Sequence, residues 1–200
     1  MILKSQNNKN VYSDGETTEK RMLDIAKKYP EDSVQEYIAD CSEYTINNTF
    51  SSVRWNILNW YPFKKDADIL EIGAGMGAVT GLLCDKAKKV VSVEMSEARA
   101  EVIRARYPER TNLTVISEDI INWESSLKFD YVVFIGVLEY ADVFLNADNP
   151  YEVFLKKAKS FLKADGVMLF AIENKMGLKY WVGGSEDHLQ KPFVGLEGYE

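Results

Sequence analysis

The sequence predicts an α/β fold: a parallel β-sheet with helices on both faces, preceded by an N-terminal helical cap. Three observations carry this. Short apolar runs of strand length recur from residue 66 onward, stretches of helical period separate them, and a glycine cluster directly follows the first run. A chain of 200 residues suits one such domain or a little more.

The first 65 residues read as helices. Met22, Ile25, Ala26 and Tyr29 recur at helical spacing, and Pro30 ends the pattern. Ser33 and Glu36 have the spacing of a capping box for a second helix with Val34, Tyr37, Ile38 and Cys41 on its apolar stripe. A third helix is expected from Ser51 to about Trp60, burying Val53, Ile57 and Trp60. From residue 66 the period changes. Ile69–Ile72 is a short strand, followed by glycines and a helical stretch to about Lys88. Val90–Glu94 is a second strand, residues 97–107 a helix stopped by Pro108, and Leu113–Ser117 a third strand. Tyr131–Ile135 is a fourth. Asn149-Pro150 supplies an N-cap and a first-turn proline for a helix carrying Phe154, Leu155, Ala158, Phe161 and Leu162. Asp165-Gly166 then turns into a fifth strand, Val167–Ile172. Alternating strands and helices of roughly 10–15 residues make right-handed βαβ units, whose ligands bind at the carboxyl ends of the strands.

Composition narrows the function. Lys and Arg number 24 against 31 Asp and Glu, a net charge of −7, which argues against a protein that tracks phosphates and predicts no nucleic-acid partner. Cys41 and Cys84 cannot build a disulfide framework, no Cys/His spacing suits a metal, and both thiols read as packing residues. The N-terminus turns polar after three residues, and the run Tyr131–Leu138 is far below the ~18 residues of a membrane span, so a cytoplasmic protein is expected. Trp55, Trp60 and Trp123 read as packing residues rather than base-stacking platforms.

The most informative stretch is Glu71-Ile72-Gly73-Ala74-Gly75-Met76-Gly77-Ala78, after a strand and before a helix. Glycines there permit positive φ and bring a ligand onto bare backbone. Glu94 ends the second strand 17 residues past Gly77, where a carboxylate can accept both hydroxyl hydrogens of a ribose. Glu118-Asp119 ends the third strand. The spacing also satisfies G-x-G-x-x-A, so an NAD(P)-dependent oxidoreductase or epimerase is an alternative, without an evident Tyr-x-x-x-Lys pair. Glu71 two residues before the first glycine, Asp119, and the strand Phe129-Asp130-Tyr131-Val132-Val133-Phe134 together resemble class I S-adenosylmethionine-dependent methyltransferases across residues 66–173.

That resemblance implies a Rossmann-like fold and S-adenosylmethionine as cofactor. It places Gly73, Gly75 and Gly77, with Glu71, under the methionine and ribose. Glu94 would take the ribose hydroxyls, Asp119 the adenine amine, Ile120 the adenine ring, and Ile135-Gly136 the methionine amino group. It divides the chain into a helical cap, 1–65, and a cofactor-binding domain, 66–200. Its usual seven strands exceed the five counted here, so the chain is expected to be an N-terminal piece of a longer protein or an edge-trimmed variant. An exposed fifth strand would favour a homodimer.

For the acceptor, amino-methylating nucleic-acid enzymes carry Asp/Asn-Pro-Pro-aromatic after the fourth strand, where this chain has Ile135-Gly136-Val137-Leu138. Small-molecule enzymes often have Leu-Glu-His, where this chain has Leu138-Glu139-Tyr140, leaving Glu139 or Tyr140 as contacts. His188 behind Glu186-Asp187 is a candidate base or ligand, with Asn174, Tyr180 and Trp181 beside it in the segment after the fifth strand. That segment, with Arg54 and Asn56 before the first strand, resembles bacterial methyltransferase domains fused to, or encoded among, glycosyltransferases of cell-surface polysaccharide synthesis. The expected acceptor is therefore a hydroxyl or amine of a small molecule or glycan, with a glycosyltransferase as fused or separate partner. A non-catalytic cofactor-binding module is the other reading.

Overall fold

The computed structural model describes residues 2–4, 10–12, 15–174, 176–185, 191–194 and 196–197. It opens not with a helix but with an antiparallel hairpin, β1 (Ile2–Lys4) and β2 (Asn10–Tyr12), whose three-residue strands are too short to leave a periodic signal. The cap helices follow: α1 (Glu16–Lys28), α2 (Ser33–Ala39) and α3 (Tyr44–Phe50). The α1 stripe is as expected, with Met22, Ile25 and Ala26 buried. The capping box is not formed. Ser33 lies inside α2 and its hydroxyl donates to the Pro30 carbonyl at 2.6 Å.

The expected third helix is also corrected. Residues 52–57 form a 3₁₀ turn, where the Val53 amide donates to Ser51 Oγ, and the α-helix lies one segment earlier, burying Ile46 and Phe50. With the pitch changed, Val53 and Trp60 are 70% and 74% exposed, and Leu58 is the buried residue instead.

The sheet is built from β3 (Asp68–Ile72), β4 (Lys89–Glu94), β5 (Leu113–Ser117), β6 (Phe129–Ile135) and β7 (Leu162–Ala171). All pairings in it are parallel, in the order β5-β4-β3-β6-β7. The connecting helices are α4 (Thr80–Lys86), α5 (Glu97–Arg106), α6 (Ala141–Phe144) and α7 (Pro150–Ser160), with α8 (Leu178–Trp181) beyond the sheet. Asn149 Oδ1 accepts the Glu152 amide at 3.2 Å, confirming the α7 cap. β7 begins five residues earlier than expected: Asp165-Gly166 lies within it, opposite a register shift between Phe129 and Tyr131.

Strand alternation sends two sets of side chains to two faces. Leu70, Ile72, Val91, Val93, Val132 and Phe134 pack with Trp123, Phe154 and Phe161. Ile69, Val90, Tyr131 and Val133 pack with Leu58 and with Leu82 and Leu83 of α4. The cap shares a further core with Met76 of the glycine segment and Val102 of α5. Because the strand order reverses between β3 and β6, their carboxyl ends bound an open crevice.

The amino end of the sheet is closed by charge. Asp130 is 7% exposed; its Oδ2 accepts the Asp68 amide at 2.9 Å and Lys163 Nζ at 2.7 Å, and its Oδ1 accepts Lys64 Nζ at 3.1 Å. The Lys163 ammonium, then the Asp68 amide, hold this carboxyl far below the ordinary carboxylate range. Its stabilising contribution is therefore complete above the unfolded value near pH 4 and is lost as pH falls through the acid range. Asp130→Asn should cost about 1–3 kcal/mol at pH 7 in a urea melt, and the cost should shrink at pH 3.

Candidate active site

A cavity of about 1350 Å³ opens at the carboxyl ends of β3, β4 and β6. Its floor is the glycine segment, where Gly73, Gly75 and Gly77 have φ of 65°, 59° and 81°, a region costly for other residues. A Cβ on Gly73 would sit 2.5 Å from Val137 Cγ2, so the loop after β6 lies directly on the glycine loop.

Glu94 closes the end of β4. Its Oε2 accepts the Gly75 amide at 2.8 Å and its Oε1 the Ser96 amide at 3.0 Å. Each oxygen keeps a further acceptor position, as ribose hydroxyls require. Burial raises this carboxyl's pKa, while the Arg99 guanidinium works against the shift. Glu71 lies beneath the loop on the α4 face, its Oε2 accepting Ser92 Oγ at 2.6 Å and Thr80 Oγ1 at 2.7 Å. Burial pushes its carboxyl up to about 7 against those two hydrogen bonds, and its Oε1 is buried without a hydrogen-bond partner among the described residues. An unsatisfied buried acceptor beside a bare-backbone cradle fits a ligand that brings its own donors, such as the amine and ribose of S-adenosylmethionine.

Most of the expected residues converge here. Glu71, Gly73, Gly75, Glu94, Asp119, Ile120, Ile135 and Gly136 all line the cavity, as do Arg54, Glu139 and Tyr180. Asp119 Oδ1 accepts the Ile121 amide at 3.0 Å, which pins the turn that presents Ile120. Arg54 donates to Asn48 Oδ1 at 3.0 Å on the cap side.

Four expected residues do not line the cavity. Gly77 faces away from it, its Cβ position 3.1 Å from the Tyr107 ring. Asn56 is exposed on the 3₁₀ turn. Asn174 shapes the turn before α8, accepting Met176 N on Oδ1 at 3.0 Å and Gly177 N on its carbonyl at 2.7 Å. Trp181 is 57% exposed at the end of α8. His188 lies outside the described residues.

Sequence reasoning passed over other walls. Tyr44, Thr45, Asn48 and Thr49 of α3 form one side, and Glu173 just after β7 accepts Tyr180 Oη at 3.2 Å. Glu173 carried a readable signal, since it ends the fifth strand as Glu94 ends the second. No group of three or more potential metal-binding side chains occurs among the described residues, and no helix there is long and apolar enough to cross a membrane.

Comparison with known proteins agrees with this geometry. Residues 41–153 match the ribosomal RNA adenine dimethylase family. Ribosomal RNA small subunit methyltransferase A of Clostridium acetobutylicum is 36% identical over 105 residues, 52% of this chain and 35% of that protein. The same enzyme of Syntrophus aciditrophicus is 31% identical over 102 residues, covering 51% and 34%. The chain thus spans about a third of the length of these curated relatives. Two solved structures share the fold. Phosphoethanolamine N-methyltransferase 1 of Haemonchus contortus has a TM-score of 0.57 at 23% identity, covering 84% of this chain and 36% of that one. The N-methyltransferase NodS of Bradyrhizobium japonicum has a TM-score of 0.55 at 18% identity, covering 69% and 70%.

These matches overturn the expected small-molecule or glycan acceptor and the exclusion of nucleic acid, because the family and the curated relatives are named for action on ribosomal RNA. The glycosyltransferase partner falls with that acceptor, and the NAD(P) alternative gives way. Net charge describes a whole surface, whereas an acceptor meets only the mouth of the cavity. The match covers more than half of the chain and runs from the cap through the glycine loop to the far wall of the cavity: the protein belongs to the ribosomal RNA adenine dimethylase family, within the class I S-adenosylmethionine-dependent methyltransferases.

Proposed function

We propose that this chain transfers methyl groups from S-adenosylmethionine to the exocyclic amine of an adenine in ribosomal RNA. The observation that carries the reading is the family match over residues 41–153, which takes in the α3 wall, the glycine loop and the ends of β3, β4, β5 and β6. The bound cofactor supplies an electrophilic methyl group on sulfur. The chain supplies position. Glu94 would hold the ribose, Asp119 and Ile120 the adenine of the cofactor, and the backbone at Ile135-Gly136 its amino group.

The acidic lining of the cavity as a whole supports entry of a base rather than of the RNA backbone. Among the described lining residues seven are acidic (Glu71, Glu94, Glu118, Asp119, Glu139, Asp142, Glu173) and two are cationic (Arg54, Arg99). Phosphates are repelled from such a surface, whereas an amine offers N–H donors to its carboxylates. The adenine must leave its stack to reach the cofactor. Glu139 and the rings of Tyr44, Tyr140 and Tyr151 line the space available to it. The chain lacks Asp/Asn-Pro-Pro-aromatic at 135–138; in this reading Glu139 and Tyr140, just beyond, supply an acceptor and a ring.

The test is incubation with methyl-labelled cofactor and small-subunit ribosomal RNA, followed by nucleoside analysis. Label is expected in N6-methylated adenosine and should disappear with Glu94→Ala, which should weaken S-adenosylhomocysteine binding about 10-fold or more in calorimetry. Wild-type binding of S-adenosylhomocysteine without label in adenosine would refute the acceptor and leave a cofactor-binding module.

Glu71 gives a separate pH test. Its carboxyl moves from 4.5 to about 7 on folding, so the folded state holds the extra proton and stability falls as pH rises between those values. Glu71→Gln keeps an acceptor for Ser92 and Thr80 but cannot ionise. Its stability relative to wild type should rise by on the order of 1–3 kcal/mol from pH 5 to pH 8 in urea melts. A pH-independent difference would show that Glu71 does not change ionisation on folding.

A further inference from the structure

Arg106, in the last turn of α5, is 5% exposed. Burial lowers its pKa from the usual guanidinium value. A buried cation needs compensation, and here main-chain dipoles and ring faces provide it. Its Nη1 donates to the Met76 carbonyl at 2.7 Å and to the Thr49 carbonyl at 2.9 Å. The guanidinium carbon lies 4.7 Å from the Phe50 ring centre and 5.1 Å from that of Tyr107.

The two carbonyls belong to adjoining elements that line the cavity. Met76 is in the glycine loop, Thr49 in cap helix α3, and both line the space. The chain separation is 27 residues, and one nitrogen atom joins the two. The neighbouring Tyr107 holds only the loop, its hydroxyl donating to the Gly77 carbonyl at 2.9 Å. Tyr107 thus fixes the loop, and Arg106 ties the loop to α3, alongside the bond from Trp55 Nε1 of the 3₁₀ turn to the Ala78 carbonyl at 3.1 Å.

We propose that Arg106 is a positioning residue that couples the cap to the cofactor cradle, so that filling the cradle tightens α3 over the mouth. Coupling between two sites is reciprocal: whatever orders the loop through Arg106 orders the cap, and releasing the cap weakens the cradle. The acceptor wall formed by Tyr44, Thr45 and Asn48 then takes up its position when the cofactor is bound. This rests on S-adenosylmethionine as cofactor and not on the identity of the acceptor.

The test combines S-adenosylhomocysteine calorimetry with amide hydrogen exchange of residues 44–50. In the wild type the ligand should slow exchange across that helix. Arg106→Met should weaken binding about 10-fold and abolish the ligand-dependent slowing, with Arg106→Lys between the two, since lysine keeps the charge but not the planar guanidinium that lies against Phe50 and Tyr107. Tyr107→Phe should weaken binding by a smaller factor and keep the slowing, which separates coupling from loss of packing. Wild-type affinity and wild-type slowing in folded Arg106→Met would overturn the proposal. Should neither Arg106 variant fold, the wild type decides it: no ligand-dependent slowing at 44–50 on saturation with S-adenosylhomocysteine overturns it, and slowing that survives in Tyr107→Phe supports it. Failure of the wild type to bind S-adenosylhomocysteine would instead refute the cofactor reading itself.

Discussion

Four successive residues of the glycine loop have a main-chain group held by a side chain: the Gly75 amide by Glu94, the Met76 carbonyl by Arg106, the Gly77 carbonyl by Tyr107 and the Ala78 carbonyl by Trp55. A segment with three positive-φ glycines has many accessible conformations when free, and its ordering carries a large entropic cost. These clamps select one conformation from outside the cavity, leaving the inner backbone face open. The remaining architecture presents the clamps. β4 delivers Glu94, α5 delivers Arg106 and Tyr107, and β6 brings Val137 down onto Gly73.

The site is electrostatically costly. Glu71 and Glu94 are both nearly inaccessible and both are shifted upward by burial, with the Glu94 charge adding to the shift of Glu71. Amides and hydroxyls already donate to them, yet acceptor capacity remains. Such capacity has value only toward a ligand rich in N–H and O–H groups. At the opposite end of the sheet the same functional group behaves in the opposite manner: Asp130 finds two ammonium groups and an amide, and its carboxylate becomes a structural clasp. Cationic partners separate a holding carboxylate from a binding one.

The parallel sheet and the cofactor end of the site were legible because they rest on short-range signals. Ile69–Ile72, Gly73-x-Gly75-x-Gly77 and the acids that end the strands are each local in sequence. What failed depended on distant geometry. Whether Trp60 is buried turns on the pitch of residues 52–57, where a 3₁₀ turn displaces the apolar stripe. The hold of Tyr107 on Gly77, 30 residues away, likewise leaves no local pattern. The role of α3 was hidden because its cavity-lining Tyr44, Thr45, Asn48 and Thr49 carry no distinctive motif. The acceptor was misread because the segment after the fifth strand and the absent Asp/Asn-Pro-Pro-aromatic pattern were given weight, and because net charge says nothing of a single base entering a cavity.

The sheet order has a consequence for how the protein is made. β3 lies at the centre, pairing on one side with β4 and on the other with β6, where Leu70 meets Val132, 62 residues later. During synthesis from the amino end, β4 follows β3 within about one helix length, but the other edge of β3 has to wait until residue 135 has emerged. Through that interval the central strand of the core carries a row of unpaired amides and carbonyls, and pairing across so long a separation is intrinsically slow. The reversal of strand order that opens the crevice thus also creates a nascent chain with an exposed edge, a hazard for aggregation before the site exists.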